Sequence, residues 1–215
     1  MSTTMTTTLT FPTDLVRVEG APDLDPGPAG IRPRRLPAWT RPRLHDAGMD
    51  LAVSVPLGVR LRLRTAAREI ALDVHVRVLA PAPDARLPVP FDLVVDGSVA
   101  ARALATRGDT LVVAGDIGDA EILPGEPETI RFTDLPAGEK TFEIWLPHTA
   151  VVELRTISTD APLLAPDPPP GRRWVHHGSS LSHGLEAPAA TLTWPAVAAL
   201  RTGTALVDLA FGGLS

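Results

Sequence analysis

The 215-residue sequence has no cysteine, no tyrosine and almost no lysine. The absence of cysteine excludes disulfides, thiolate metal sites and a cysteine nucleophile. The 20 basic residues are almost entirely arginine, and 25 acidic residues bring the formal net charge to −5, which argues against a general nucleic-acid binder. No apolar run approaches the length that crosses a bilayer, so no membrane span is predicted.

The first 15 residues, MSTTMTTTLTFPTDL, lack a basic start and a continuous apolar stretch. They therefore contain no recognisable signal peptide, and a cytoplasmic location is the expectation from this feature. No group of His, Asp and Glu has the spacing of metal ligands, so no metal site is predicted.

The middle of the chain has the alternating pattern of β-strands. Over residues 59–64, valine and leucine alternate with three arginines, which we expect to lie on a solvated face. Residues 70–78 repeat the alternation, and turn sequences such as Asp96-Gly97 separate further short strands. No helix-period segment interrupts residues 50–157. The pattern indicates an antiparallel β-sandwich or jelly roll over residues 50–164.

The composition changes on either side of this region. Residues 1–49, rich in Thr and then in Pro, Gly and Asp, predict an irregular N-terminal lead-in. Residues 165–172, which contain APDPPPG, predict a stiff linker. Residues 173–215 have the order strand, loop, helix, strand, loop, with Thr193-Trp194-Pro195 as the helix start and Gly203 as its end. This order is that of a βαβ unit, the opening of a parallel-sheet α/β domain.

The loop after the predicted strand 173–177 has the sequence GSSLSHG, from Gly178 to Gly184. In an open parallel sheet, ligands bind beyond the carboxyl ends of the strands. A serine at that position lies near backbone N–H groups that can stabilise an oxyanion. On spacing alone, a structural loop with a capping serine accounts for the same residues.

The segment RRWVHHGSSLSHGLEAP, followed by TWPAVAAL and ALVDLAFGG, resembles the first two sequence blocks of the SGNH/GDSL hydrolase superfamily. By this resemblance Ser180 is the nucleophile, and its own backbone N–H is one oxyanion donor. Gly213 matches the glycine whose N–H contributes to the same oxyanion hole. Ser179 stands where the family usually has Asp, and Asp208 stands where an Asn is common. The second departure is expected to affect strand and loop geometry more than the chemistry.

Earlier segments resemble the β-sandwich domain that precedes the catalytic domain in a bacterial SGNH subgroup. The two-domain acetyl-xylan-type carbohydrate esterases share this layout. The segments are LPAWTRPRL, GVRLRLRTAAREIALDV and LPAGEKTFEIWLPHTAVVELR, so that the resemblance covers most of the chain from Arg32 onward. The implied fold is a β-sandwich (jelly-roll) N-terminal domain followed by the first βαβ unit of an α/β three-layer SGNH hydrolase domain.

The implied activity is that of a serine ester hydrolase acting on a small acetyl or short acyl ester, with acylated sugars as candidates and without a cofactor. The family's third-block Asn and the DxxH pair that carries its catalytic His do not occur before Ser215. We therefore expect this chain alone to be inactive. The alternative is a non-catalytic β-sandwich module that binds or interacts with a partner.

Other residues have two candidate roles. His183 is the local candidate for a substitute base, although packing within the loop is the favoured role. Trp39 and Trp145 are candidate sugar platforms, although core packing is favoured for them too. The last predicted strand would lack most of its partners, so its apolar residues are expected to be exposed and to allow self-association. These residues are Leu206, Val207, Leu209 and Phe211.

Overall fold

The computed structural model describes residues 6–44, 46–113, 115, 117–168 and 171–212. The strands are β1 (Thr7–Thr10), β2 (Arg17–Glu19), β3 (Asp23–Pro26), β4 (Ile31–Arg34), β5 (Arg60–Thr65), β6 (Ile70–Ala80), β7 (Val89–Val95), β8 (Ser98–Ala105), β9 (Asp109–Val112), β10 (Glu121–Leu123), β11 (Glu128–Phe132), β12 (Lys140–Trp145), β13 (Ala150–Thr159), β14 (Leu163–Leu164), β15 (Arg173–Gly178) and β16 (Ala205–Ala210). The α-helices are α1 (Ala47–Ser54), α2 (Ser180–His183) and α3 (Trp194–Thr202). The chain is therefore mostly β-sheet.

Two large sheets, mostly antiparallel, share one apolar core. The first has the order β10-β9-β6-β13-β4-β3, with β1 also paired to β13 and β11 to β6. The second has the order β14-β5-β12-β7-β8, with β2 also paired to β5. Apolar side chains from both sheets, such as Leu61 on β5 and Leu72 on β6, belong to the same buried cluster. The period-two alternation of residues 59–78 thus gives each strand one face toward a common core.

The N-terminal segment differs from the irregular chain that its composition predicts. β1 pairs with β13, β2 pairs with β5, and β3 and β4 form an antiparallel pair beside β13. Proline is tolerated in this pair because β3 is an edge strand and β4 meets β13 only at Ile31 and Leu154. Helix α1 follows, capped by the Asp46 side chain, which accepts the Met49 N–H at 2.8 Å.

Strands β15 and β16 form a two-stranded parallel sheet. Their register runs from Arg173 opposite Ala205 to Gly178 opposite Ala210. Helix α3 lies between them in sequence and starts directly after Thr193, with proline in its first turn, as the Thr193-Trp194-Pro195 pattern predicts. Gly203 follows its last residue in the left-handed conformation, with φ of 62°.

The polar face of β5, which carries its arginines, is less exposed to solvent than the sequence predicts. Arg60 is only 4% exposed, and its guanidinium pairs with Glu19 at 2.8 Å and donates to the Leu206 carbonyl at 3.0 Å. Arg62 is 8% exposed and pairs with Glu143 at 2.5 Å. The alternation correctly separates polar from apolar side chains. The solvated-face prediction is wrong for Arg60 and Arg62, whereas the Arg64 side chain is 32% exposed.

A second apolar cluster joins β16 and α3 to the second large sheet. Leu206 is 1% exposed and packs with Trp145, which is equally buried, and with Val94. The expectation that Leu206 is exposed is therefore wrong, and Val207, Leu209 and Phe211 are half-buried. Burial also makes Trp145 a packing residue rather than a sugar platform.

Arg35 is fully buried and links three separate segments of the chain. Its guanidinium lies over the Phe211 ring, with its central carbon 4.4 Å from the ring centroid. Burial lowers the pKa of Arg35 to about 10, which leaves it charged at neutral pH. It donates to four backbone carbonyl groups, those of Ala52, Val55, Asp208 and Ala210, at 2.6, 2.7, 3.0 and 2.8 Å.

Replacing Arg35 with methionine should lower the free energy of unfolding by about 3–5 kcal/mol, because buried carbonyl groups would lose their donor. Arg64→Met is the matched control. Arg64 is 32% exposed in its side chain and pairs with Glu139 and Asp167, and exposed pairs of this kind contribute about 0–1 kcal/mol. Urea unfolding of both variants measures the difference. A loss in Arg35→Met no larger than in Arg64→Met would contradict the linking role.

Candidate active site

Ser180 lies just beyond the carboxyl end of β15 and is the first residue of α2. It is exposed, and no other described residue hydrogen-bonds its hydroxyl. Its backbone N–H has no acceptor within the helix, since the first N–H groups of any helix lack one. The Ser179 carbonyl accepts the N–H groups of Ser182 and His183 at 3.1 and 3.0 Å, which holds the turn closed. The hydroxyl and the backbone N–H of Ser180 thus lie together at the carboxyl edge of the parallel sheet.

Gly178 allows this turn to lie close to the strand that precedes it. A Cβ atom at residue 178 would lie 2.6 Å from the Ser182 Cβ and 3.1 Å from the His176 Nε2. Non-bonded carbon atoms prefer about 3.5–4.0 Å. Any side chain at Gly178 would therefore push α2 away from β15 and displace Ser180.

The loop after β16 reaches the same edge. Phe211 donates its N–H to the Gly178 carbonyl at 3.1 Å, and a Cβ at Gly212 would lie 3.4 Å from the Ser180 Cα. Parallel pairing explains this, because the carboxyl ends of both strands lie at one edge of the sheet. Gly213, the expected oxyanion donor, lies outside the described residues, so its distance from the Ser180 nitrogen remains a prediction.

Both ring nitrogens of His183 have backbone partners. Gly212 N–H donates to Nδ1 at 3.1 Å, and Nε2 lies 2.8 Å from the His148 carbonyl oxygen. Since an N–H can only donate and a carbonyl can only accept, the ring is neutral with its proton on Nε2. Burial lowers the pKa of His183, which favours the same neutral form. No nitrogen remains to take a proton from Ser180, so the geometry supports the packing role.

His148 contacts the turn that carries Ser180 through a hydrogen bond to Gly184. It lies between β12 and β13, is fully buried, and donates from Nε2 to the Gly184 carbonyl at 3.1 Å. Gly184 ends α2 in the left-handed conformation, with φ of 64°. Burial, with the neighbouring His183, lowers the pKa of His148 to about 4. The turn that carries Ser180 therefore packs on a neutral histidine from the connection between the two large sheets.

Asp208 is a fully buried carboxyl group near the end of β16. Its Oδ1 accepts the Ala210 N–H at 2.9 Å, and its Oδ2 has no hydrogen-bond partner among the described residues. Burial raises the pKa of Asp208. It stands opposite His176 in the parallel register, and the bond to Ala210 shows that Asp208 shapes the end of this strand.

Sequence reasoning missed Arg35 and His148. Arg35 contacts the site by donating a hydrogen bond to the Ala210 carbonyl, and His148 contacts it by donating one to the Gly184 carbonyl. Arg35 lies outside the segments that carry the family resemblance, and the segment that contains His148 gave no indication of a role at the site. Within the described ranges, no group of three or more His, Asp or Glu side chains is placed to hold a metal ion. None of the helices in these ranges has the length and apolar character needed to cross a bilayer.

No family model matches the chain, and no curated protein matches it. Solved structures do. A salicylyl-acyltransferase from a tetracycline biosynthetic pathway matches with a TM-score of 0.79 and 24% identity, over 96% of this chain and 54% of that one. A GDSL-like lipase from Bacteroides ovatus matches with a TM-score of 0.69 and 15% identity, over 97% and 58%. An acetyl xylan esterase from the rumen bacterium Butyrivibrio proteoclasticus matches with a TM-score of 0.59 and 10% identity, over 97% and 50%.

The chain has an SGNH/GDSL-type hydrolase fold. The expectation from the GSSLSHG segment and its neighbours is confirmed at the level of the fold. The chain spans about half the length of the solved structures that it matches. In this SGNH/GDSL-type fold, Ser180 lies at the carboxyl edge of the parallel pair, and its role as nucleophile stays a prediction.

The low pKa of His148 predicts a pH-dependent stability. An unfolded histidine titrates near 6.5 and the folded His148 near 4, so between these values only unfolded chains bind the extra proton. The free energy of unfolding should therefore fall as the pH decreases from 6.5 to 4, by about 3 kcal/mol at roughly 1.36 kcal/mol per pKa unit. His183, whose pKa is also lowered, contributes in the same direction.

Urea unfolding at several pH values between 7 and 4 measures this slope. His148→Gln retains an N–H donor for the Gly184 carbonyl but does not titrate, so its slope should be shallower than that of the unchanged chain. His177→Gln, at an exposed position, should keep the full slope. Equal slopes for His148→Gln and the unchanged chain would show that His148 is not the titrating group.

Proposed function

We propose that the chain contributes the nucleophile of a serine ester hydrolase that cleaves small acyl esters. The observation that carries this proposal is the position of Ser180, exposed at the carboxyl edge of β15 and in contact with the loop after β16. In domain terms, residues 50–164 form the main part of a β-sandwich, to whose sheets residues 1–49 add strands β1 to β4. Residues 165–172 then link it to the first part of an α/β three-layer hydrolase domain in residues 173–215.

The reaction begins with attack of the Ser180 hydroxyl on the ester carbonyl carbon. The tetrahedral oxyanion is stabilised by the backbone N–H of Ser180 and, following the family resemblance, by that of Gly213. One such donor contributes about 10²–10³ in rate in serine hydrolases. The bond between the carbonyl carbon and the alcohol oxygen then breaks, and the alcohol leaves with the proton that Ser180 gave up. Water hydrolyses the resulting acyl-enzyme, which releases the carboxylic acid and restores the Ser180 hydroxyl. The residues of this chain supply the nucleophile and the oxyanion donors, and no cofactor takes part.

The comparisons support an acyl ester as the substrate class. One matching structure is named as a salicylyl-acyltransferase and another as an acetyl xylan esterase. Both names concern acyl groups, and the second concerns one carried by a sugar polymer. We extend to this chain the shared chemistry, a short acyl ester, with an O-acetylated sugar as the preferred candidate. Trp145 is buried in the core, so the sugar contacts are to be sought near Ser180 and at Trp39, which is 65% exposed.

The described residues supply no general base for Ser180. His183 is occupied by Gly212 and the His148 carbonyl, and no other described residue hydrogen-bonds the Ser180 hydroxyl. A serine hydroxyl without a base is a weak nucleophile. The chain alone should therefore form an acyl-enzyme slowly and show negligible turnover. The same observation favours the second candidate function, a non-catalytic module in which Ser180 takes no part.

Incubation with p-nitrophenyl acetate followed by peptide mass spectrometry separates the two candidates. Acetylation should form slowly at Ser180, where a backbone N–H can stabilise the oxyanion, and should accumulate because no described residue activates water to hydrolyse the acyl-enzyme. The background is small, since Lys140 is the only lysine in the sequence. Ser180→Ala should remove the modification, and the matched variant Ser179→Ala should retain it.

Acetylation spread equally over Ser179, Ser180 and Ser182, or absent from all three, would contradict the nucleophile assignment and favour the binding module. Steady-state release of p-nitrophenol should be the same for the unchanged chain and for Ser180→Ala. Rapid release that disappears in Ser180→Ala would support the hydrolase but overturn the conclusion that the described residues lack a base.

A further inference from the structure

The loop after β16 is tied to the nucleophile turn through one imidazole ring. The tie is the hydrogen bond from the Gly212 N–H to the His183 Nδ1, at 3.1 Å. We propose that His183 is a positioning residue that sets the distance and orientation between the Ser180 turn and the Gly212 loop. This role rests on the proposed function, in which these two segments act on one substrate carbonyl.

His183 and Ser180 belong to the same rigid turn. The His183 N–H donates to the Ser179 carbonyl at 3.0 Å, and the Gly184 N–H donates to the Ser180 carbonyl at 2.9 Å. These bonds hold the backbone on both sides of Ser180. A displacement of the imidazole therefore displaces the segment that carries the nucleophile.

The ring is also held from its other side. Its Nε2 proton is donated to the His148 carbonyl at 2.8 Å, and the His148 ring donates to the Gly184 carbonyl at 3.1 Å. His183 is 4% exposed, so turning the ring would leave a buried polar group unpaired, at a cost of about 1–3 kcal/mol. The direction in which Nδ1 accepts a hydrogen bond is consequently fixed.

The bond determines what the Gly212 amide can do. Its N–H is used by His183 and is not available to a substrate oxyanion. Since the peptide unit is planar, holding this N–H fixes the plane that joins Phe211 to Gly212 and so fixes the course of the loop. A Cβ at residue 212 would lie 3.1 Å from Nδ1 and 3.4 Å from the Ser180 Cα, so glycine permits this close approach.

Two variants divide the contacts of His183. His183→Asn places an amide oxygen near the position of Nδ1, where it can accept the Gly212 N–H, but it does not reach the His148 carbonyl. His183→Gln places an amide N–H near the position of Nε2, where it can donate to His148, but it leaves Gly212 without an acceptor. Each variant loses one buried hydrogen bond, so a merely structural role predicts similar effects for both.

The positioning role predicts different effects. Acetylation of Ser180 by p-nitrophenyl acetate should slow by about 10- to 100-fold in His183→Gln, because a misplacement of about 1 Å can cost about 10²-fold in rate. His183→Asn should remain within about threefold of the unchanged chain, on the same reasoning. The amide proton resonance of Gly212, assigned in isotope-labelled protein, should stay downfield in His183→Asn and move upfield in His183→Gln.

Equal acetylation rates in the two variants, with the Gly212 resonance moved only in His183→Gln, would overturn the positioning role. Absence of Ser180 acetylation in the unchanged chain would overturn the proposed function and this inference with it, while an unmoved Gly212 resonance would overturn the inference alone.

If His183→Gln does not fold, acid titration of the unchanged chain replaces it. Protonated Nδ1 cannot accept a hydrogen bond, so the Gly212 resonance and the acetylation rate should change together as the pH falls. Repeating the titration in His148→Gln removes the neighbouring histidine, whose pKa is also lowered. Arg35, the charged group that faces His183, has a pKa of about 10 and stays charged throughout.

Discussion

The buried guanidinium of Arg35 is the interaction on which the position of the candidate site depends. A charge taken out of water requires compensation, and here the observed hydrogen bonds are to carbonyl oxygens of α1, the residue after it, and β16. Ala210 is followed directly by Phe211, which stacks on the guanidinium, and by Gly212, which bonds to His183. The N-terminal segment therefore fixes the end of the last described strand, some 175 residues later in the chain.

Directed polar bonds complement the apolar packing between β16, α3 and the second large sheet. The cluster around Trp145 and Leu206 supplies burial, but apolar surfaces alone permit sliding. The bond from Arg60 to the Leu206 carbonyl and the bond from the Thr191 hydroxyl to Asp92, at 2.5 Å, fix the register along this contact. Buried polar groups of this kind specify one arrangement because any other leaves them unpaired. The geometry around Ser180 is therefore set by contacts far from Ser180 itself.

The sequence predicts what depends on local pattern. Alternation over residues 59–78 predicts strands β5 and β6, and Thr193-Trp194-Pro195 with Gly203 predicts both ends of α3. The pairing of the strands in the first 49 residues could not be predicted, because β1 and β4 pair with β13, more than a hundred residues away. The same limit applies to Arg60, since alternation gives the polarity of a face but not what covers it. Ser180 is predicted as the nucleophile only through the family resemblance, because a GSS loop alone also suits a capping turn.

The partners of His183 decide its chemistry. A histidine three residues after a serine suggests a base, yet one nitrogen of this ring meets Gly212 and the other meets the His148 carbonyl, neither of which is near it in sequence. Ser182 and His183 fill the buried side of the turn, whereas Ser180 is exposed and Leu181 is 83% exposed. In the proposed function, a base for Ser180 therefore has to approach from the exposed side. The buried side holds Ser180 in place, and the exposed side leaves room for the base and for the ester.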